Sequence, residues 1–136
     1  MLEAEEEVSM SMDFAFRPVE DVLIVEVTGK YSLEEACSSF LKLLDYLKQN
    51  PARRVLIDTR GLQRDRISSM DNYLYAEFVA KHSFFSELPR RPLYLAYLIP
   101  QSRIESSRFP EDVAANRGVI LRVFSREEDA LAWLRR

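Results

Sequence analysis

Glycine is scarce, with three in 136 residues. That argues against a glycine-rich loop cradling a phosphate and against a barrel built on many tight turns. Cysteine is scarcer still. Cys37 stands alone, so no disulfide can form within the chain, and one reduced, buried thiol suits the cytoplasm. His82 is the only histidine. With one His and one Cys, a structural zinc site would need carboxylates for its remaining ligands. Neither a metal nor a cofactor is expected. Long apolar runs are missing too: the longest, Leu93–Ile99, has the length of a strand and not of a membrane span.

The motifs of common enzymes are also absent. There is no G-x-S-x-G elbow, no Walker or Rossmann loop, and no carboxylate pair at an obvious acid–base spacing. The sequence therefore reads as a binding protein and not an enzyme. Basic residues are missing from the start. Residues 1–13 carry Glu3, Glu5, Glu6, Glu7 and Asp13 but no Lys or Arg. We read them as a flexible acidic leader before a single domain at 14–136. They lack the basic and apolar regions of a signal peptide. Without those five acids the 22 acidic residues fall to 17, against 19 basic ones. So even a balance does not call for nucleic acid.

What is present is a hydrophobic fraction of 47%, enough for a core, arranged in alternating strand and helix patterns. Phe14–Arg17 and Val22–Thr28 read as strands, the second apolar enough to be buried on both faces and ended by Gly29. Ser32 and Glu35 form a capping box that opens a helix whose stripe runs through Ala36, Cys37, Phe40, Leu41, Leu44 and Leu47. Asn50-Pro51 stops it. Arg54–Asp58 is the next strand, and Thr59–Ile67 reads as a polar, Arg-rich loop. A second helix follows over Ser69–Phe85, then a strand at Leu93–Ile99. A short helix is expected at Glu111–Asn116, a last strand at Val119–Phe124, and a final helix capped by Ser125 and Glu128. The alternation predicts an α/β fold: a mixed sheet of about five strands with four helices packed on it.

Two groups of residues are candidate sites. Asp58 stands at the carboxyl end of a buried strand, where open α/β sheets gather ligands. The plain expectation is that it caps its own loop as an Asx turn. Ser68 and Ser69 precede the second helix. Ser68 with Asp71, or Ser69 with Asn72, makes an N-cap, and Arg60, Arg64 and Arg66 nearby suit an anion or a phosphorylated serine. The second helix itself carries apolar residues on more than one face. Tyr73, Tyr75, Phe78, His82 and Phe85 mark it as an interface or a ligand groove.

The runs VEDVLIVEVTGKYSLEEA, RRVLIDTRGL, LYLAYLIP and VILRVFSREEDALAWLRR together resemble the SpoIIAA-like proteins of the STAS superfamily. The likeness extends over most of residues 14–136. It implies a small sheet-plus-helices domain used for protein–protein contact. Anti-sigma-factor antagonists of that superfamily are switched by phosphorylation of a Ser at the start of the second helix, in an Asp-Ser-Ser-Gly setting. The matching residues here are Arg66-Ile67-Ser68-Ser69, without the Asp or the Gly. Three functions follow as expectations. The first is a non-enzymatic binding or regulatory module, homodimeric through the second helix. The second is a carrier of a small apolar or lipid-like molecule beside that helix. The third is a phospho-regulated antagonist.

Overall fold

Runs of β-branched and leucine side chains leave two segments no stable place except between layers, and these become the centre of the sheet. The computed structural model describes residues 12–63, 68–85, 92–103 and 120–136. Its strands are β1 (Met12–Val19), β2 (Val22–Lys30), β3 (Arg54–Gln63), β4 (Tyr94–Leu98) and β5 (Ile120–Phe124). They form one sheet in the order β1-β2-β3-β4-β5. β1 pairs antiparallel with β2, and every later pair is parallel. The described helices are α1 (Leu33–Gln49), α2 (Ser69–Phe85) and α3 (Glu127–Leu134).

Parallel strands covered on both sides should bury every residue, and the first half of β2 does so: Val22, Leu23, Ile24 and Val25 are all buried. Alternation then sorts them into two cores. Leu23, Val25, Val27, Val55, Ile57, Leu95 and Tyr97 pack with Phe40, Leu43, Leu44 and Leu47 of α1 and Val79 and Ala80 of α2. Val22, Ile24, Leu56, Ala96 and Leu98 pack on the other face with Ala130 and Leu134 of α3. The sheet steps one way from β2 to β4, so crossovers of a single hand put α1 and α2 on the same face. Each large aliphatic or aromatic side chain buried this way contributes about 1.5–3 kcal/mol.

Several expectations are revised. β1 begins at Met12, and Glu35 accepts a hydrogen bond from the Met12 N–H at 2.7 Å. The capping box of α1 is therefore half made: Ser32 Oγ accepts from the Glu35 N–H, but the Glu35 carboxylate reaches across to β1. β2 runs past Gly29, which takes φ 96 within the strand, a conformation open to glycine and strained for other residues. β3 continues to Gln63 where a loop was expected. Backbone pairing of Thr28–Lys30 with Gly61–Gln63 holds it, and a polar sequence does not prevent that. Ser125 does not cap α3. Its hydroxyl donates to Gln101 at 2.6 Å, Arg126 takes the cap position with no side-chain cap bond, and Glu128 pairs with Arg126. Cys37 is half-buried, on the flank of α1 and not in its core stripe. Of the four helices expected, Glu111–Asn116 lies outside the described residues, as do residues 1–11 of the leader.

One irregularity shapes the site. Glu26 pairs with Asp58, but Thr28 pairs with Gly61. β3 thus carries one extra residue, a bulge at Thr59–Arg60 that reverses the side-chain alternation beyond it.

Candidate functional site

The carboxyl ends of β2 to β5, with the first halves of α1 and α2, border a partly open, mainly apolar cavity of about 130 Å³. Its floor is Val25, Val27, Ile57, Tyr97 and Val123. Ala36 and Phe40 of α1 and Ala76 of α2 form its sides, and Met12 and Phe14 close it at β1. The bulge matters here. Thr59 and Leu62, three residues apart, both line the cavity, which plain alternation along a strand would forbid. Thr59 Oγ1 donates to the Leu98 carbonyl at 3.0 Å, so its polar atom is satisfied and its methyl is left to the cavity wall. Small side chains on both helices, Ala36 and Ala76, leave the space unfilled.

Tyr31, Ser39 and Asn72 add polar groups to the wall, and a pair of buried phenols stands beside them. Tyr75 and Tyr97 share one hydrogen bond between their hydroxyls, at 2.7 Å, with the rings edge to face at 5.9 Å. Phe40 meets Tyr75 edge to face as well, at 6.5 Å. Burial pushes both phenols above their ordinary value near 10, so both stay protonated through the neutral range. Burial likewise raises the Cys37 thiol, which keeps it a poor nucleophile at neutral pH.

The candidate residues separate into two places. Asp58 and Arg60 belong to the opposite face of the sheet. Asp58 accepts from the Arg60 backbone N–H at 3.1 Å and from its guanidinium at 3.0 Å through both oxygens. This is the expected Asx turn, closed by a side-chain clasp that secures the bulge. Desolvation pushes the Asp58 carboxyl up, but the hydrogen bonds and charge of Arg60 outweigh it and hold the pKa below its ordinary value. Arg60 also reaches Glu127 at the start of α3. Its charge is thus committed there, with no contact to Ser68.

Ser68 makes the expected cap in full. Its Oγ accepts from the Asp71 N–H at 3.1 Å, and Asp71 accepts from the Ser68 N–H at 3.4 Å. Replacing Ser68 with Ala removes one half of this box. We expect a loss of about 1 kcal/mol, read as a lower urea midpoint with unchanged slope. The side chains of Ser69 and Phe85, and all of Arg64 and Arg66, lie outside the description.

The aromatics of α2 divide by helical position. Tyr75 turns inward to the cavity. Tyr73 donates to Glu77 at 3.0 Å, and Phe78 stacks on His82 with centroids 4.2 Å apart. Sequence reasoning missed Tyr97, Phe40 and the β1 residues as parts of a site. Tyr97 carried a usable signal, since a tyrosine in a buried strand needs a hydrogen-bond partner. Among the described residues no group of His, Cys, Asp and Glu could hold a metal ion. No described helix is long and apolar enough to cross a membrane.

No protein-family model matches the sequence, and no curated protein is significantly similar to it. Two solved structures are similar over nearly the whole chain. An anti-sigma factor antagonist from Mycobacterium paratuberculosis is 13% identical, with a TM-score of 0.55 over 93% of this chain and 96% of that one. An uncharacterized protein from Shewanella loihica, described as having a SpoIIAA-like fold, is 18% identical, with a TM-score of 0.50 over 91% and 94%. The strand order, the mixed sheet and these two neighbours agree with the resemblance in the sequence: the chain has the SpoIIAA-like fold.

Proposed function

We propose that this protein is a cytoplasmic, non-enzymatic binding module that acts through protein contact, with the outward face of α2 as its docking surface and a second copy as its partner. One observation carries this. Among the described residues three large apolar side chains are exposed: Leu41 at 40%, Met70 at 61% and Leu74 at 44%. Two of the three, Met70 and Leu74, stand one turn apart on α2, while Phe78, a further turn on, is half-buried against the core. A helix with apolar residues on both its inward and outward sides needs cover on both. The similarity to an anti-sigma factor antagonist supports a protein as the cover.

Sedimentation velocity over a concentration series tests the reading. The native chain is expected to shift toward a dimer as concentration rises. Met70→Glu/Leu74→Glu should stay monomeric with its folding intact, since both side chains face outward. A native chain that sediments as a monomer at every concentration removes the second copy as partner.

The phospho-switch is the less favoured regulatory reading. Asp71 already places a carboxylate at the first turn of α2, where it accepts from the Ser68 backbone N–H, and a phosphate on Ser68 would meet like charge. The cavity favours a different second reading, carriage of a small apolar molecule between α2 and the sheet. A mainly apolar space of this size suits a small apolar molecule, since a cavity of about 150 Å³ accepts benzene.

A further inference from the structure

Resting on that second reading, we infer that the cavity selects a small neutral molecule, about one six-membered ring in size, that carries a single hydrogen-bond acceptor such as a ketone oxygen. The volume sets the size. About 130 Å³ holds one ring, and most of a long acyl chain would lie outside it.

The phenol pair sets the chemistry. Two hydroxyls joined by one hydrogen bond use one O–H proton between them. The other O–H remains, and among the described residues no acceptor takes it: each hydroxyl has only the other as a partner. A buried donor without an acceptor is costly, and this one stands in the wall of a mainly apolar cavity whose other polar lining residues are Tyr31, Ser39, Thr59 and Asn72. A ligand that brings one acceptor satisfies it. A hydrocarbon leaves it unmet. An anion would meet no cation, because no Lys or Arg lines the space. The site is thus matched to a neutral acceptor.

Cyclohexanone and methylenecyclohexane have the same ring and the same number of heavy atoms, and differ in oxygen against CH₂. Each is titrated into the native chain and followed by amide NMR shifts of Ala36, Ala76 and Val123. The hydrocarbon gains more from leaving water, so the measurement is the change on mutation and not the raw affinity. Tyr75→Phe/Tyr97→Phe removes both hydroxyls together and leaves no orphan, so it should fold normally. It is expected to weaken cyclohexanone about tenfold and to leave methylenecyclohexane unchanged. Tyr75→Phe and Tyr97→Phe alone each retain one O–H donor, now freed from sharing, and should hold cyclohexanone at least as well as the native chain. If the double variant weakens both molecules equally, or neither, the acceptor rule is overturned while the carrier reading stands. If neither molecule shifts the cavity amides, both fall.

Discussion

Phe40→Ala is expected to destabilise the protein by about 3–5 kcal/mol, measured as the drop in unfolding free energy by urea titration. Phe40 is 2% exposed and sits where α1, Tyr75 and the sheet converge. Its removal deletes a large transfer term, and the neighbouring cavity prevents the site from collapsing to recover it. Domains of this size are stable by about 5–15 kcal/mol in total, so the variant should sit near the edge of folding at 37 °C. Leu41→Ala, one position along the same helix, should change stability by less than about 1 kcal/mol, because Leu41 is exposed. The enlarged space in Phe40→Ala also predicts partial rescue by a two-ring apolar compound, since a ligand that binds only the folded state stabilises it by mass action. Equal losses at Phe40 and Leu41 would mean that α1 is not docked as described.

Alkaline pH should unfold the protein through the phenol pair. The folded pKa values of Tyr75 and Tyr97 lie above the ordinary 10 because of burial. Their contribution is therefore fully present below pH 10. Above it the unfolded chain releases both protons while the folded protein still holds them, and stability falls as pH rises. With two protons at stake the slope reaches at most about 3 kcal/mol per pH unit. Urea midpoints followed from about pH 8 to about pH 11 should be flat at first and then drop steeply. In Tyr75→Phe/Tyr97→Phe the steep arm should flatten. An alkaline drop of the same steepness in that variant would place its origin elsewhere.

The sheet was largely legible in the sequence because burial on both faces demands continuous apolar runs. Val22–Val25, Val55–Ile57 and Leu95–Leu98 satisfy that demand in plain view. The caps at Ser32 and Ser68 were legible too, since a hydroxyl three residues before an acid is a local signal. The extensions of β2 and β3 were not. Thr28–Lys30 and Gly61–Gln63 pair through backbone atoms that every sequence possesses, and no side-chain pattern announces them. The same holds for Ser125, whose hydroxyl found Gln101 across space before it could serve the adjacent helix. The cavity was harder still. Ala36, Phe40, Val79 and Tyr97 each read as core, and each packs as core. The gap among Ala36, Ala76 and the sheet depends on volumes contributed by seven separate elements, which no single stretch of sequence contains. The excess of aromatics on α2 pointed to the right helix but mixed two roles. Tyr75 faces the cavity, while Met70 and Leu74 face outward.

The extra residue at Thr59–Arg60 makes chain length, and not residue type, the quantity that decides which face each later residue of β3 takes. Deleting Arg60 alone would rejoin β3 to β2 in plain register with Leu62, then two residues after Thr59, still on the cavity side, and would remove the guanidinium that clasps Asp58. A comparison of proteins with this fold should therefore count residues between the strand's Asp58 and its Gly61 before comparing the letters that fill those places.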